Sequence, residues 1–324
     1  MRRREFITVI GGAAAWPLAA HAQLPNPLIG FLSSRSPGES TGVVAAFRQG
    51  LQEMGFVEGR NLSIAFRWAE GRYDRLPALA AELVGLPVTM LFAAGGPPAA
   101  FAAKAATSSI PIVFSAVSDP VEIGLVPSLN EPSGNITGMA VFNVSLGQKR
   151  IELTRELLPT ADVVGYLRNP SNQSSASEAK GALAAARALG IQVRIIDASS
   201  EAQLDAAFSA ARPNVDAIIV AGEPFFDSQR ERIVGLSARQ GLAAVYAWRE
   251  YVLAGGLMSY GTDLPDSYRQ AAIYAGRVLK GEKPANLPVM QPTKFHLAVN
   301  IKAARALGIN VPPTLLARAD EVIE

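Results

Sequence analysis

Val163-Val164-Gly165-Tyr166-Leu167 is a short apolar run that stops at Asn169-Pro170. Such a run, bounded by turn residues, suits a strand buried on both faces. A helical stretch follows over Glu178 to Leu189, closed by Gly190, and leads into Val193-Arg194-Ile195-Ile196. The alternation continues with a helix over Ala202 to Ala211 and a strand over Ala217 to Val220 that ends at Glu223-Pro224. A helix over Ile233 to Gln240 and a strand over Ala243 to Tyr246 complete the unit. Short apolar strands separated by helices predict a parallel sheet covered on both faces.

The same pattern runs through the first half. Leu28 to Leu32 is a strand ending in Ser33-Ser34, and Phe47, Leu51 and Met54 stand at helical spacing before Gly55. Leu62 to Phe66, Val88 to Ala93 and Ile110 to Phe114 read as strands, with helices over Leu76 to Val84 and Ala99 to Ala106. Two α/β units of similar size predict two similar lobes, although no sequence repeat links them. Gly134 to Lys149 lies between the units and reads as the first crossover. Gly255 to Gly261 ends the second set, and a helix over Tyr268 to Leu279 stops at Gly281. Leu287 to Val299 then runs extended through Pro288 and Pro292. These last pieces read as the chain returning to the first lobe and crossing once more. The expected lobes are residues 26–141 with about 262–287, and residues 142–261 with about 288–324, joined by three crossovers.

The composition narrows the function. No cysteine is present, which excludes disulfides, a catalytic thiol, thiolate metal sites and a lipobox anchor. Two histidines, His21 and His296, leave no zinc constellation and make a Ser-His-Asp triad an unpromising reading. A net charge of +2 and the lack of a basic run after residue 4 give no nucleic-acid surface. There is no G-x-G-x-x-G and no P-loop, so no nucleotide and no other cofactor is expected. The first 22 residues carry an address: Arg2-Arg3-Arg4, an apolar stretch from Ile7 to Ala20, and Ala20-His21-Ala22 as a small-x-small cleavage site. Arg3-Arg4-x-Phe6-Ile7 matches the twin-arginine export pattern. The expected mature chain starts at Gln23, in the periplasm, without a membrane anchor.

Several stretches, in order and spacing, resemble one family over nearly the whole mature chain. They are Gly55 to Leu62, Arg67 to Gly71, Asp119-Pro120-Val121 with Gly124-Leu125-Val126, and Gly134 to Gly138. Further on come Gly255 to Gly261, Leu287-Pro288-Val289 with Gln291 to Phe295, and Ala319 to Glu324. The chain is similar to ABC-transporter substrate-binding proteins described as tryptophan/tyrosine transport components. The resemblance implies a type I periplasmic-binding fold. It also implies a small-molecule ligand, with an aromatic or other amino acid as a prior, and a permease served by a separate ATPase subunit.

In open α/β sheets ligands sit outside the carboxyl ends of the strands. Two facing lobes place two such rims across one cleft. The first rim offers Ser33, Ser34, Gly95, Gly96 and Asp119. Serine hydroxyls and a glycine turn before a helix suit a carboxylate, although Pro97-Pro98 removes two N–H donors there. Asp119 could hold a ligand ammonium or cap its turn. The second rim offers Asn143, Asn169 and Glu223, with Phe225, Phe226, Tyr246 and Tyr260 as an aromatic wall. In an extended segment Phe225 and Phe226 would point opposite ways. No catalytic residue and no metal site is read.

Two other functions share these features. A ligand-sensing module for a membrane receptor would carry the same export signal. A periplasmic enzyme is disfavoured, because no Asp/Glu pair is convincingly placed for acid–base work. A repressor would need a DNA-reading domain where the export signal stands. Replacing Arg3 and Arg4 by lysine is expected to leave precursor in the cytoplasm. Undiminished mature protein in a periplasmic fraction would instead assign the segment to the general secretory route.

Overall fold

The computed structural model describes residues 26–324. The export segment and cleavage site read over residues 1–22 lie outside the described residues.

The first sheet is wholly parallel. It contains β1 (Leu28–Ser33), β2 (Ser63–Trp68), β3 (Met90–Ala94), β4 (Ile112–Ser118) and β5 (Ile136–Val141), in the order β2-β1-β3-β4-β5. The connections carry α1 (Thr41–Glu53), α2 (Leu76–Val84) and α3 (Pro97–Ala106). Every residue of β3, β4 and β5 is buried, which is why these strands read as unbroken apolar runs.

The second sheet follows α4 (Asn143–Leu157) and is built from β6 (Val163–Arg168), β7 (Gln192–Asp197), β8 (Ala217–Val220), β9 (Ala243–Tyr246) and β10 (Met258–Thr262). Between these strands lie α5 (Ser175–Ala188), α6 (Glu201–Ala211), α7 (Pro224–Ser228), α8 (Arg230–Arg239) and α9 (Arg249–Leu253). After α10 (Leu264–Leu279) come β11 (Phe295–Asn300), α11 (Ile301–Ala306), α12 (Pro313–Leu316) and β12 (Glu321–Ile323). The order is β12-β11-β10-β9-β8-β6-β7. β11 pairs antiparallel with β10, so this sheet is not purely parallel as the strand pattern predicts. The reason is the route: the chain leaves β10, packs α10 elsewhere, and re-enters beside β10 from the opposite direction.

That excursion adds to the first sheet. Tyr268 of α10 is fully buried and lies 6.2 Å, ring to ring, from Phe92 of β3; Phe92 in turn packs on Phe47 of α1. Met290 then continues the sheet beyond β5, donating its N–H to Gly138 and accepting from Ala140. Residues 287–294, read as extended, form no named strand; β11 begins only at Phe295. The chain therefore passes between the sheets three times: at Phe142, at Asp263, and between Met290 and Phe295.

Close approach of α1 and α10 depends on Gly50. A Cβ there would lie 2.2 Å from the Arg269 carbonyl oxygen. Gly50→Val therefore forces two backbones apart and is expected to cost about 1–3 kcal/mol, whereas Gly38→Ala meets nothing within 4 Å and should be nearly neutral. Thermal unfolding of both variants checks this; equal melting temperatures would show that the two helices do not pack this closely.

Candidate ligand-binding cleft

The carboxyl ends of the two sets of parallel strands face each other, and the loops beyond them meet. β1 runs out into Ser33, Ser34 and Arg35. The Arg35 backbone N–H donates to Ser33 Oγ at 3.1 Å, a local serine turn at the end of β1. Gly95 makes room for it: a Cβ there would stand 3.3 Å from Arg35 Cγ and from Ser34. Gly95 and Gly96 both have positive φ, +83° and +86°, which only glycine adopts without strain. Ala116, in an irregular part of β4, is also left-handed at φ +58° and sends its carbonyl toward Gly96.

From the other side, β8 leads through Gly222 to Glu223, which caps α7. The Phe226 N–H donates to Glu223 Oε1 at 3.0 Å, and Pro224 occupies the first helical position, where no N–H is needed. Asp227 lies one turn on. Gly222 allows the Trp248 ring to close over it, since a Cβ would come within 2.8 Å of that ring.

Two side chains, Arg35 and Tyr73, reach across the cleft. Arg35 Nη2 meets Asp227 Oδ2 at 2.5 Å, with both side chains almost wholly buried. The Tyr73 hydroxyl donates to Glu223 Oε2 and accepts from the Phe225 N–H at 3.1 Å. Burial works against the Arg35 charge, but Asp227, with Tyr268, Glu39 and Glu250, outweighs it and raises the guanidinium above its ordinary value. Glu223 has only neutral partners. Burial foremost, with the Asp227 charge adding, pushes its carboxyl up to about 7.

Between the lobes remains a cavity of about 10 Å³, room for about one water. Arg35, Gly96, Asn143, Glu223, Asp227 and Trp248 are among its walls. A second small cavity adjoins it, sharing Asn172, Ser174 and Glu223 and reaching Asn169 and Glu178. Several buried polar atoms here have no partner: Ser34 Oγ, Arg35 Nε, Asn143 Oδ1 and Trp248 Nε1.

Of the residues expected from sequence, Gly95, Gly96, Asn143 and Glu223 line the central cavity, Asn169 lines the adjoining one, and Ser33 and Ser34 support Arg35 from behind. The others stand elsewhere. Asp119 lines a separate groove with Pro120, Val121, Phe142 and Gln291, because φ +42° turns the chain away at the end of β4. Tyr246 is buried on the far side of β9, where its hydroxyl donates to Ser237 of α8 and its ring stacks on Tyr251. Tyr260 packs against the core, and its carbonyl accepts from Arg150. Phe225 and Phe226 are not in an extended segment. They open α7, both buried, with rings 5.7 Å apart, and neither lines the cavity. The expected aromatic wall is therefore absent from the cavity, where Trp248 is the aromatic side chain.

Arg35, Tyr73, Glu178 and Asp227 are not among the sequence candidates, whereas Trp248 lies in the rim stretch Tyr246 to Arg249 that the sequence indicates. Arg35 follows Ser33-Ser34 directly and Asp227 follows Phe225-Phe226, so proximity to a strand end was the available signal.

Comparison with known proteins follows the same lines. The family described as ABC transporter substrate binding protein matches residues 38–323. A tyrosine-binding protein of Clostridioides difficile (strain R20291) is 26% identical over 263 residues, covering 81% of this chain and 75% of that protein. Among solved structures, a conserved domain protein from Vibrio cholerae shares a TM-score of 0.87 at 28% identity, over 92% of this chain and 99% of that one. An ABC domain from Streptococcus pneumonia in complex with L-Trp shares a TM-score of 0.84 at 27% identity, over 91% and 100%.

The position of Glu223 sets a pH dependence. Parted lobes hydrate this carboxyl and return it toward its ordinary 4.5, while the closed cleft holds it near 7. The closed form thus binds the proton more tightly. It gains stability as pH falls from about 7 toward 4.5 and bears the full cost above 7. At about 1.4 kcal/mol per pH unit this amounts to a few kcal/mol. Thermal unfolding between pH 5 and 8 should show the wild type gaining on Glu223→Gln at the acid end; parallel curves would show that Glu223 titrates normally.

Proposed function

The chain belongs to the ABC transporter substrate binding protein family, and we propose that its ligand is an α-amino acid held between Arg35 and Asp227. The fold is the type I periplasmic-binding fold. The observation that carries the proposal is the cross-cleft pair. It offers a guanidinium from one rim and a carboxylate from the other, the two charges complementary to a ligand carboxylate and ammonium. Arg35 Nε, Ser34 Oγ and Trp248 Nε1, unpartnered and buried, supply further hydrogen-bonding groups. Relatives in this family include a tyrosine-binding protein and a domain in complex with L-Trp, which supports an amino acid as the class.

The cavity of about 10 Å³ is far smaller than any amino acid. Entry needs the lobes to part, breaking the Arg35–Asp227 and Tyr73–Glu223 bonds, and binding replaces them by ligand contacts. Residues 26–141 with 264–290 move as one lobe in this proposal, and residues 143–262 with 295–324 as the other, the last crossing falling a few residues later than the sequence suggests. The loaded protein delivers its ligand to a membrane permease powered by a separate ATPase. Export through the segment ending at Ala22 places it in the periplasm. Among the described residues no helix is long and apolar enough to cross a membrane. Arg35 and Asp227 hold the ligand's main-chain groups, while Ser33, Ser34, Gly95 and Gly96 shape the first rim and Asn143, Asn169 and Glu223 the second.

Calorimetry of residues 23–324 against the amino acids tests this. At least one should bind, and small-angle scattering should then show a smaller radius of gyration. Asp227→Asn removes the ammonium's partner and is expected to weaken that ligand about ten- to hundredfold, the loss of a charge-assisted hydrogen bond. An unchanged affinity in a folded Asp227→Asn protein would remove Asp227 from the site.

A further inference from the structure

Charges around the cleft do not balance. Glu178, Glu223 and Asp227 are 2%, 3% and 2% exposed, and they face two buried cations, Arg35 at 4% and Arg150 at 0%. Arg35 is taken by Asp227. Arg150 donates its Nε to the Tyr260 carbonyl, keeps both terminal nitrogens unpartnered, and offsets the Glu178 charge without an ion pair; Arg168, on the wall of the adjoining cavity, is paired with Asp197. Glu178 accepts from the Ser174 hydroxyl at 2.8 Å and the Asn143 amide at 3.3 Å, both neutral. Glu223 accepts from Tyr73, the Asn169 amide and the Phe226 N–H, also neutral. Among the described residues neither glutamate has a salt bridge. The next ring outward, Glu39 and Glu250 against Arg230, adds one more negative charge than positive.

A second, independent observation points the same way. Asn143 is 3% exposed and lines the cavity, and its Oδ1 accepts from nothing. Beside it stand Glu178 and, across the cavity wall, Glu223. Asn143 Oδ1 and the Glu223 carboxylate are thus an unpartnered acceptor and a charge without a cation at one cavity, whose unpartnered donors, Arg35 Nε and Trp248 Nε1, suit the ligand's carboxylate. A buried carboxylate without a cation is costly. A neutral zwitterion cannot relieve that cost, because it brings one charge of each sign.

We infer, on the footing that the cleft binds an amino acid, that the ligand carries a cationic side chain, an ammonium or guanidinium, which lies against Glu223 and Asn143 while its main-chain groups meet Arg35 and Asp227. The spacing suits such a molecule. Glu223 caps α7 and Asp227 lies one turn on, its N–H donating to the Glu223 carbonyl at 3.1 Å, and both residues border the cavity. One of them takes the main-chain ammonium and the other the side-chain cation. The cavity wall supplies Trp248, Pro97 and Pro224 for the aliphatic stem, and no broad aromatic shelf.

The test compares ligands of one shape and different charge on the wild-type protein. L-Arginine and L-citrulline differ chiefly in the guanidinium, and calorimetry at pH 8 should show L-arginine or L-lysine binding at least tenfold tighter than L-citrulline. Glu223→Gln should shrink that ratio to about threefold or less, and an unchanged ratio in a folded variant overturns this inference. L-Citrulline binding as tightly as L-arginine, or L-tryptophan or L-tyrosine closing the lobes more tightly than either cation, overturns this inference and leaves the amino-acid proposal standing. No binding or closure with any amino acid overturns the amino-acid proposal, and this inference with it. The ligand comparison needs no variant, so a Glu223→Gln protein that fails to fold does not shield the inference.

Discussion

Arg35, just past β1, and Asp227, in α7, stand 192 residues apart in the chain and meet at 2.5 Å with both side chains buried. Neither charge would be tolerated alone in that place. Removing one partner of such a pair leaves an uncompensated buried charge, a loss of about 3–5 kcal/mol where water cannot enter. Here the pair spans a cleft and not a core, so the proposed parting of the lobes would admit water to both charges. On that proposal, the same electrostatics that hold the lobes together leave them free to part when something better is offered. A ligand with a carboxylate and an ammonium offers each partner a new counter-charge without exposing either to an apolar surround.

Much of the local structure is arranged around that meeting. Gly95 clears the path of the Arg35 side chain, and Gly222 lets Trp248 close over the opposite rim. Glu223 starts α7 by capping its N-terminus, and that short helix aligns Asp227 one turn later. Tyr73, in the loop after β2, touches both the Glu223 carboxylate and the Phe225 N–H, so the loop and α7 dock as one contact. Gly71 fits the same contact: a Cβ there would come within 2.9 Å of Ser228 Oγ. The loops approach closely because the residues at the contact are small or can exchange hydrogen bonds.

The residues that misled a sequence reading did so for identifiable reasons. Tyr246 ends a strand, as a rim residue should, yet its side chain projects to the α8 face, where Ser237 satisfies the hydroxyl. Asp119 also follows a strand, but its left-handed backbone bends the chain out of the cleft. Phe225 and Phe226 carry no periodic signal that separates a five-residue helix from an extended rim. Arg35 and Asp227 look, in sequence, like any other surface charges. In each case the deciding fact is a partner distant in the chain.

The sequence by itself determined the alternation of strands and helices, its restart after the first crossover, and the rims from which the site is drawn. These depend on apolar runs, glycines and prolines, whose preferences act over a few residues. Strand order, the antiparallel entry of β11 and the packing of α10 on α1 were decided only in the tertiary structure, as was the pairing across the cleft. Each requires two distant segments to be mutually complementary in shape or charge, and no window of sequence contains both halves of such a contact.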